Sequence, residues 1–463
     1  MKNFLRYINK NRIVTSVILI TLIGTILRLQ ILHKTSLWYD EAYTALNVKQ
    51  NWADMFKTII QDKVHPPLYY ILLKVWGILF GYSEVALRSL SLLFGITLIP
   101  LTYTVVKSIK NNLAGIYASI LTAFSPFFIT YSIEMRSYSM LCVEALISIY
   151  FFWKIWNSNN NLILIKSSIN FRWLIFSCII LITTHYLSIL LIFAYIVLLL
   201  YKLKGSKLRF NPTTILLGLI MIIVLITSLL HISSFRVIPK ESTPTPWLHD
   251  ARLIDIPRLG YTYLFGVDRQ SLGELPVFQL GIPLEVNDAA LIIILIMALL
   301  IGYSIFKKND IATKYLLILL FAGLIPILIL SFLGLNLLLE RYLITLGLIH
   351  LLLCGVLLSN IKIKNGILLI LIYIILALTI KWQFSNPPYE DFANKIIQNS
   401  PKYKKIVIEN VFDYQVLKYY INKKVNNVFL LEDPQRSVKS WPLIDETNII
   451  KSYDSTDYFI SKL

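Results

Sequence analysis

Residues 13–43 read IVTSVILITLIGTILRLQILHKTSLWYDEAY, a long apolar run followed by two adjacent carboxylates, Asp40 and Glu41. About 20 predominantly apolar residues are enough for a helix to cross the hydrocarbon core of a bilayer. The run lacks the small-residue cleavage site of a removable signal peptide, so we interpret it as a signal anchor. The stretch therefore predicts a membrane helix with two acidic side chains just beyond one of its ends.

The composition excludes an ordinary water-soluble protein. Of the 463 residues, 56% are hydrophobic and only 15% are charged, with a mean hydropathy of +0.66. Soluble domains carry about 25% charged residues, and long Leu/Ile runs indicate a helical protein that crosses the membrane many times. The three cysteines, Cys142, Cys178 and Cys354, lie inside apolar runs. Their positions exclude a disulfide framework and a cysteine-based zinc site.

Eleven apolar segments are predicted to cross the membrane. They are 13–32, 86–106, 112–131, 138–156, 172–184, 187–201, 213–232, 289–306, 313–335, 341–359 and 365–381. Segments 172–184 and 187–201 are short for a bilayer, and we predict that they form a hairpin that enters and returns. Segment 66–80 is also too short and carries Lys74, which predicts an interfacial helix on the outer face. The expected fold is an all-α polytopic membrane protein.

The charge distribution sets the predicted topology. With the N-terminus inside, the inner segments contain 18 basic residues and a single acid, Asp310. The outer segments hold 14 of the 16 acids of residues 1–381, and Glu144 lies within a span. This asymmetry is the positive-inside pattern of membrane proteins. It accounts for the net charge of +18 without any nucleic-acid partner.

Residues 382–463 have the composition of a soluble domain, with 11 basic and 10 acidic residues. Their pattern is β-α-β, with strands at 405–409 and 427–431 and a helix at 413–421. We therefore predict a transmembrane domain over 1–381, with outer loops 33–85 and 233–288, and a small extracytoplasmic α/β domain over 382–463. We expect this tail to pack as a lid near the outer loops rather than to carry catalysis.

Unusual polar side chains collect on the predicted outer side. They are Arg28, Asp40, Glu41, His65, Arg136, Tyr138, His185, Glu340, Arg341 and Tyr342. Each has an ordinary interpretation, because arginines snorkel from helix ends, a lone histidine caps a turn, and Glu84 and Arg88 form an i,i+4 pair. Their coincidence on one face favours a functional site, because ionisable groups cost about 2.5–3.5 kcal/mol at mid-membrane.

This set of residues suits group transfer from a lipid phosphate to a hydroxyl. A carboxylate can accept the hydroxyl proton, and arginines bind phosphate through two oxygens at once. In this scheme Asp40 takes the proton, and Arg136 and Arg341 stabilise the leaving phosphate. The chain has neither a Walker A motif nor GxGxxG, so no nucleotide-phosphate cradle is indicated.

Three stretches resemble the GT-C fold glycosyltransferases. They are LWYDEAYTA at 37–45, HPPLYYILLKVWGILFGYSEVALRSLSLLFG at 65–95 and EMRSYSM at 134–140. Among these enzymes they are most similar to the protein mannosyltransferase-like family that includes lipid A aminoarabinose transferase. The resemblance is good over about residues 28–140 and looser at Thr184-His185-Tyr186 and Glu340-Arg341-Tyr342. The C-terminal domain matches in position only.

The resemblance implies a polyprenyl-phosphate-linked sugar donor and chemistry on the outer face of the cytoplasmic membrane. It implies that Asp40 is the catalytic base, with inversion at the anomeric carbon, and that Glu41 positions the acceptor or the base. His65 stands where some relatives have lysine. The acceptor is an unidentified glycan, lipid or protein. No DxD triplet is present, so we expect no cofactor and no obligatory metal.

Three other functions stay open from the sequence. A polysaccharide polymerase or ligase on the outer face would use the arginines of the 233–288 loop, which are Arg236, Arg252, Arg258 and Arg269. A lipid-linked sugar transporter predicts inverted repeats and broken mid-membrane helices, which the sequence does not indicate. A membrane scaffold would leave the clustered ionisable residues unexplained.

Overall fold

The computed structural model describes residues 12–32, 36–62, 65–157, 169–203, 255–266, 310–335, 338–379, 389–403, 405–421, 427–431, 449–450 and 458–460. The helices are α1 Arg12–Leu29, α2 Tyr39–Lys49, α3 Trp52–Asp62, α4 Leu68–Phe80, α5 Glu84–Ile109, α6 Asn112–Phe124, α7 Pro126–Ile133, α8 Tyr138–Trp156, α9 Ile169–Thr184, α10 Ile189–Leu203, α11 Asp255–Phe265, α12 Ile311–Leu330, α13 Ile344–Ser359, α14 Ile363–Thr379, α15 Tyr389–Asn399 and α16 Val411–Ile421. The strands are β1 Ile406–Ile408, β2 Val428–Leu431, β3 Ile449–Ile450 and β4 Tyr458–Ile460.

The polytopic helical fold predicted from the sequence is confirmed. Four described helical segments are long and apolar enough to cross a membrane, at α1, α5, α8 and Ile311–Leu333, and the bent pair α6–α7 makes a fifth. Shorter apolar helices follow the predicted spans at α9, α10, α13 and α14. Nine of the eleven predicted spans thus coincide with described helices. The other two, 213–232 and 289–306, lie outside the described residues.

The predicted span 112–131 consists of two helices that meet at Ser125. Helices α6 and α7 meet at an angle of 60°. Pro126 opens α7 because a proline has no N–H for the preceding turn and clashes with it. The hydroxyl of Ser125 caps α7 by accepting from Phe128 N at 3.3 Å. The break leaves the last carbonyls of α6 without helical partners.

Residues from three predicted inner loops meet at one place, as the predicted topology requires. The Lys110 ammonium lies 2.9 Å from Oδ2 of Asp310, and Asn360 donates to the same oxygen at 3.0 Å. Asp310 also caps the start of α12 through Ala312 N at 3.2 Å. None of the outer-side residues singled out from the sequence takes part in these contacts. The three loops are therefore neighbours in the structure, as a shared face predicts.

Segment 66–80 forms helix α4, as predicted, and one of its faces packs on the predicted outer segments. The buried Lys74 ammonium donates to the carbonyls of Val48, at 3.0 Å, and Gln50 at the end of α2. A cation at a helix C-terminus is favoured because the last carbonyls carry partial negative charge. The opposite face of α4 exposes apolar side chains, among them Ile78, Leu79 and Phe80.

The C-terminal segment is a small α/β unit, in agreement with the predicted β-α-β pattern. Its four strands are parallel in the order β3-β2-β1-β4, and Ile406 pairs with Val428 on one side and with Tyr458 on the other. Helix α16 connects β1 to β2, as a parallel pair requires. Its apolar side chains join those of α2 and α4 in a single buried cluster. The domain therefore packs directly on the Asp40 segment.

Candidate active site

Asp40 and Glu41 lie in the first turn of α2. Carboxylates are favoured there because the N-terminal end of a helix carries partial positive charge. Consecutive residues of an α-helix point about 100° apart, since 3.6 residues make one turn. The two side chains consequently have different surroundings, although they are adjacent in the sequence.

The Glu41 carboxylate is buried and fully hydrogen-bonded. It accepts from Arg88 through Nε at 2.7 Å and Nη2 at 2.6 Å. It also accepts from the backbone N–H groups of Met135, at 3.0 Å, and Trp38, at 3.4 Å. A carboxylate has about four lone-pair sites, so these contacts leave it little capacity for a substrate. Through these hydrogen bonds, Glu41 holds together α2, α5 and the segment before α8.

The Asp40 carboxylate is in a different situation. Its side chain is 23% exposed, and Oδ2 lies 4.0 Å from Nη2 of Arg136. No group among the described residues donates a hydrogen bond to this carboxylate, whereas the backbone carbonyl of Asp40 accepts from Thr44 at 2.8 Å. Asp40 is thus a carboxylate beside a guanidinium, with oxygens available to a proton donor.

His65 belongs to a chain of side chains that ends at Asp40. Its Nε2 atom accepts from the Arg136 guanidinium, and its Nδ1 lies 2.8 Å from Oδ2 of Asp62. An arginine can only donate, so the imidazole is neutral with its proton on Nδ1. Burial lowers the pKa of His65 and the Arg136 charge lowers it further, while the Asp62 hydrogen bond opposes both. His65 therefore orients Arg136.

Among the described residues, none forms a hydrogen bond with the Arg341 guanidinium. It lies over the Trp38 ring, 5.3 Å from the centroid, and 5.7 Å from that of Tyr342. Its Nε is buried and has no hydrogen-bond acceptor among the described residues. A cation that packs on aromatic rings and has no hydrogen-bonded anion among the described residues is suited to a phosphate.

His185 adds a neutral donor to the same region. Its Nδ1 accepts from Leu187 N at 3.3 Å, which confirms that it caps a turn. The proton of the neutral ring consequently sits on Nε2, which bonds to no described residue. Burial lowers the pKa of His185 to about 3. Its ring centroid lies 6.3 Å from those of both Tyr138 and Tyr342.

Two predicted site residues bond outside this cluster. The buried Arg28 guanidinium donates to the carbonyls of Gly24, Thr122 and Ala123, at 2.9, 3.2 and 3.1 Å. It therefore satisfies the end of α6 at the helix break and does not snorkel. The Glu340 carboxylate accepts from Arg258 at 3.4 Å. The structure thus brings together eight of the ten predicted residues. Among these, Glu41 has a structural role because its carboxylate is bonded to Arg88.

Sequence reasoning missed the partners that organise the cluster. Arg88 was assigned only to an i,i+4 pair with Glu84, a pair that the structure confirms. The pattern gave no sign of the Glu41–Arg88 pair, because 47 residues separate the two. Asp62 stands three residues before His65 and was a usable signal. The described residues include no group of three His, Cys, Asp or Glu side chains placed to hold a metal ion.

Comparison with known proteins supports the sequence resemblance. Residues 64–231 match the family of dolichyl-phosphate-mannose-protein mannosyltransferases. ArnT from Cupriavidus metallidurans bound to undecaprenyl phosphate has a similar structure, with a TM-score of 0.58 and 12% identity, over 90% of this chain and 86% of ArnT. The chain shares the GT-C fold of ArnT. The predicted resemblance is confirmed, and the family match and fold together indicate a multi-pass membrane glycosyltransferase.

A second GT-C structure is similar over part of its length. It is the archaeal oligosaccharyltransferase AglB from Archaeoglobus fulgidus, in complex with an inhibitory peptide and a dolichol-phosphate. The TM-score is 0.54 and the identity 12%, over 91% of this chain. The chain spans 65% of the AglB chain, which is less than two thirds. Comparison with curated protein sequences gives no significant match.

Proposed function

We propose that this GT-C protein moves a sugar from a polyprenyl-phosphate donor to a hydroxyl acceptor on the outer face of the cytoplasmic membrane. The contrast between Asp40 and Glu41 carries the proposal. One carboxylate is open beside a guanidinium and the other is fully bonded to Arg88. Only the first has the capacity to act as a general base.

The proposed step is a direct displacement at the sugar. The acceptor oxygen forms a bond to C1 of the sugar while its proton passes to Asp40. The bond between C1 and the phosphate oxygen breaks, and its electron pair leaves with the polyprenyl phosphate. Attack from the side opposite the phosphate inverts C1, as the family resemblance implies. Arg136, whose Nη2 lies 4.0 Å from Oδ2 of Asp40, stands beside the carboxylate that takes the proton.

The leaving phosphate gains negative charge, and Arg341 supplies the opposite charge. Arg341 has no hydrogen-bonded anion of its own among the described residues. Because fixed cations in a water-poor pocket need no reorganisation during the reaction, they lower the barrier strongly. His185 offers a neutral N–H donor, and Tyr138 offers its hydroxyl. His65 takes no part in phosphate binding, since its Nε2 accepts from Arg136.

Two observations support the type of donor and the membrane face. ArnT and AglB, which share the fold, are bound to undecaprenyl phosphate and dolichol-phosphate respectively. The positive-inside pattern assigns Asp40, His185 and Arg341 to the outer side. In the polymerase or ligase alternative, Arg258 would bind a substrate. Its guanidinium is instead paired with two carboxylates, with Nη2 3.4 Å from Oε1 of Glu340 and Nη1 3.7 Å from Oδ1 of Asp255.

Transfer assays with defined donors test the proposal. The purified protein is incubated with radiolabelled undecaprenyl-phosphate-linked pentoses and hexoses, with membranes as the source of acceptor. We expect one labelled sugar to leave the lipid and to appear in an acceptor fraction or in water. The matched control is Asp40→Asn, which should leave the label on the lipid. If the folded wild-type protein releases none of these sugars, the proposed function is refuted.

A further inference from the structure

We infer that Tyr420 of the C-terminal domain is a positioning residue for Asp40, an inference that rests on the proposed function. Tyr420 lies in α16, far from Asp40 in the sequence, and its hydroxyl forms hydrogen bonds beside α2. It accepts from the backbone N–H of Leu37 at 2.7 Å and donates to Oε2 of Glu84 at 2.9 Å. Leu37 is two residues before the first residue of α2.

The hydrogen bond from Tyr420 to Glu84 connects the C-terminal domain to the network of Glu84, Arg88 and Glu41. Glu84 is bonded through its other oxygen to Arg88, and Arg88 makes the bidentate pair with Glu41. Arg88 also donates to the carbonyls of Leu32 and Ser36, at 3.3 and 3.4 Å. The chain on either side of residues 33–35 is thus held by one guanidinium. Tyr420 completes this network from the tail domain.

The same network also contacts the segment that carries Arg136, the residue beside Asp40. The Glu41 carboxylate accepts from Met135 N at 3.0 Å, and Met135 directly precedes Arg136. The separation between Asp40 and Arg136 therefore depends on where Glu41 is held. Since reactions lose about 10²-fold when a group shifts by about 1 Å, a contact that fixes this turn affects turnover without touching substrate.

Other contacts of α16 hold α2 along its length. Phe412 packs edge-on against Tyr39 with ring centroids 4.7 Å apart. The Lys49 ammonium, at the end of α2, lies 4.0 Å from the centroid of the Tyr419 ring. The Tyr419 hydroxyl donates to the carbonyl of Tyr82 at 3.3 Å, outside the Glu41–Arg88 network. Two neighbouring tyrosines of one helix therefore differ in what their hydroxyls contact.

This difference supplies a matched pair of variants. Tyr420→Phe removes only the hydroxyl that bonds Leu37 and Glu84, and Tyr419→Phe removes only the hydroxyl that bonds the Tyr82 carbonyl. Both keep the aromatic packing of α16. We expect Tyr420→Phe to lower kcat about three- to tenfold, as the loss of one or two hydrogen bonds predicts, and to leave KM for the lipid donor unchanged. Tyr419→Phe should retain both constants.

A second measurement does not depend on activity. Amide hydrogen exchange of a peptide containing Leu37 should be faster in Tyr420→Phe than in wild type or Tyr419→Phe, because the Leu37 N–H loses its acceptor. Equal kcat in Tyr420→Phe and wild type would overturn the inference, as would equal losses of kcat in the two variants. If wild type transfers no sugar while exchange rises only in Tyr420→Phe, the contact stands and the proposed function fails.

Discussion

Oδ2 of Asp40 lies 4.0 Å from Nη2 of Arg136, whereas the carboxylate of the next residue, Glu41, turns to Arg88 at 2.6 and 2.7 Å. Two adjacent acids in one helical turn thus have separate tasks. The position of Glu41 is set by a buried ion pair, and Asp40 is left partly exposed beside Arg136. This division of roles makes the two carboxylates experimentally separable.

Asp40→Asn should fold normally and lose transfer. The amide is nearly the same size as the carboxylate, and no described group depends on the carboxylate for a hydrogen bond. It cannot take a proton, and positioned general bases contribute about 10²–10⁴-fold. Turnover of labelled donor by the purified variant, together with its elution on size exclusion, checks this. Near-wild-type turnover would remove Asp40 from the mechanism.

Glu41→Gln, unlike Asp40→Asn, should lower the stability of the folded protein. Removing the charge leaves the buried Arg88 without its bidentate partner, and breaking a buried pair costs about 3–5 kcal/mol. We expect a lower midpoint of thermal unfolding in detergent together with reduced activity. Glu390→Gln is a suitable control, because Glu390 is an exposed acid in the first turn of α15. A Glu41→Gln protein with wild-type stability and no activity would instead place Glu41 in the chemistry.

Much of the fold was predictable from the sequence, because hydrophobic run length and charge asymmetry are local signals. They located nine spans that coincide with described helices, and the β-α-β tail. They did not show the break at Ser125, although Pro126 marks it, since prolines inside membrane helices are tolerated elsewhere: α5 continues through Pro100. Tertiary packing decides which proline ends a helix.

The site was predictable in its members but not in their roles. Asp40, Arg136 and Arg341 were selected because they are charged and lie on one predicted face. That Arg28 serves the end of α6 depends on the helix break, which is a three-dimensional fact. That Tyr420 contacts Leu37 depends on docking between segments 383 residues apart. Neither relationship leaves a pattern in a single sequence.

Arg341→Lys should weaken use of the donor, and Arg341→Ala should weaken it more. Lysine keeps the charge but loses the planar, two-pronged geometry that matches phosphate. A hydrogen bond to a charged group is worth about 1.5–3 kcal/mol, so the alanine variant should raise KM for the lipid donor about 10- to 100-fold. Steady-state kinetics with labelled donor measures this. An alanine variant with normal KM and kcat would leave Arg341 as a packing residue on Trp38.

The predicted topology gives an independent test. In a background without Cys142, Cys178 and Cys354, which are all buried, a cysteine replaces Ser400 or Lys362. The cysteine at 400 should react with a membrane-impermeant thiol reagent added to intact cells. The cysteine at 362, an exposed position before α14, should react only after permeabilisation. Labelling of both from the same side would contradict the outer location of the Asp40 cluster.

Stability should fall as the pH drops below about 6.5, and His185 should account for part of the loss. The folded pKa of His185 is about 3, because burial disfavours the imidazolium, whereas an unfolded histidine has a pKa of about 6.5. Between these values the unfolded chain binds a proton that the folded chain does not, so acid favours unfolding. At pH 5.5 the penalty is about 1.4 kcal/mol for this one residue. His185→Asn keeps an acceptor for Leu187 N and removes the titration, so the variant should lose that much less stability than wild type between pH 7.5 and 5.5. Denaturant unfolding in detergent micelles measures the free energy of unfolding of wild type and His185→Asn at each pH. Equal losses of stability in the two proteins would show that His185 is protonated in the folded protein.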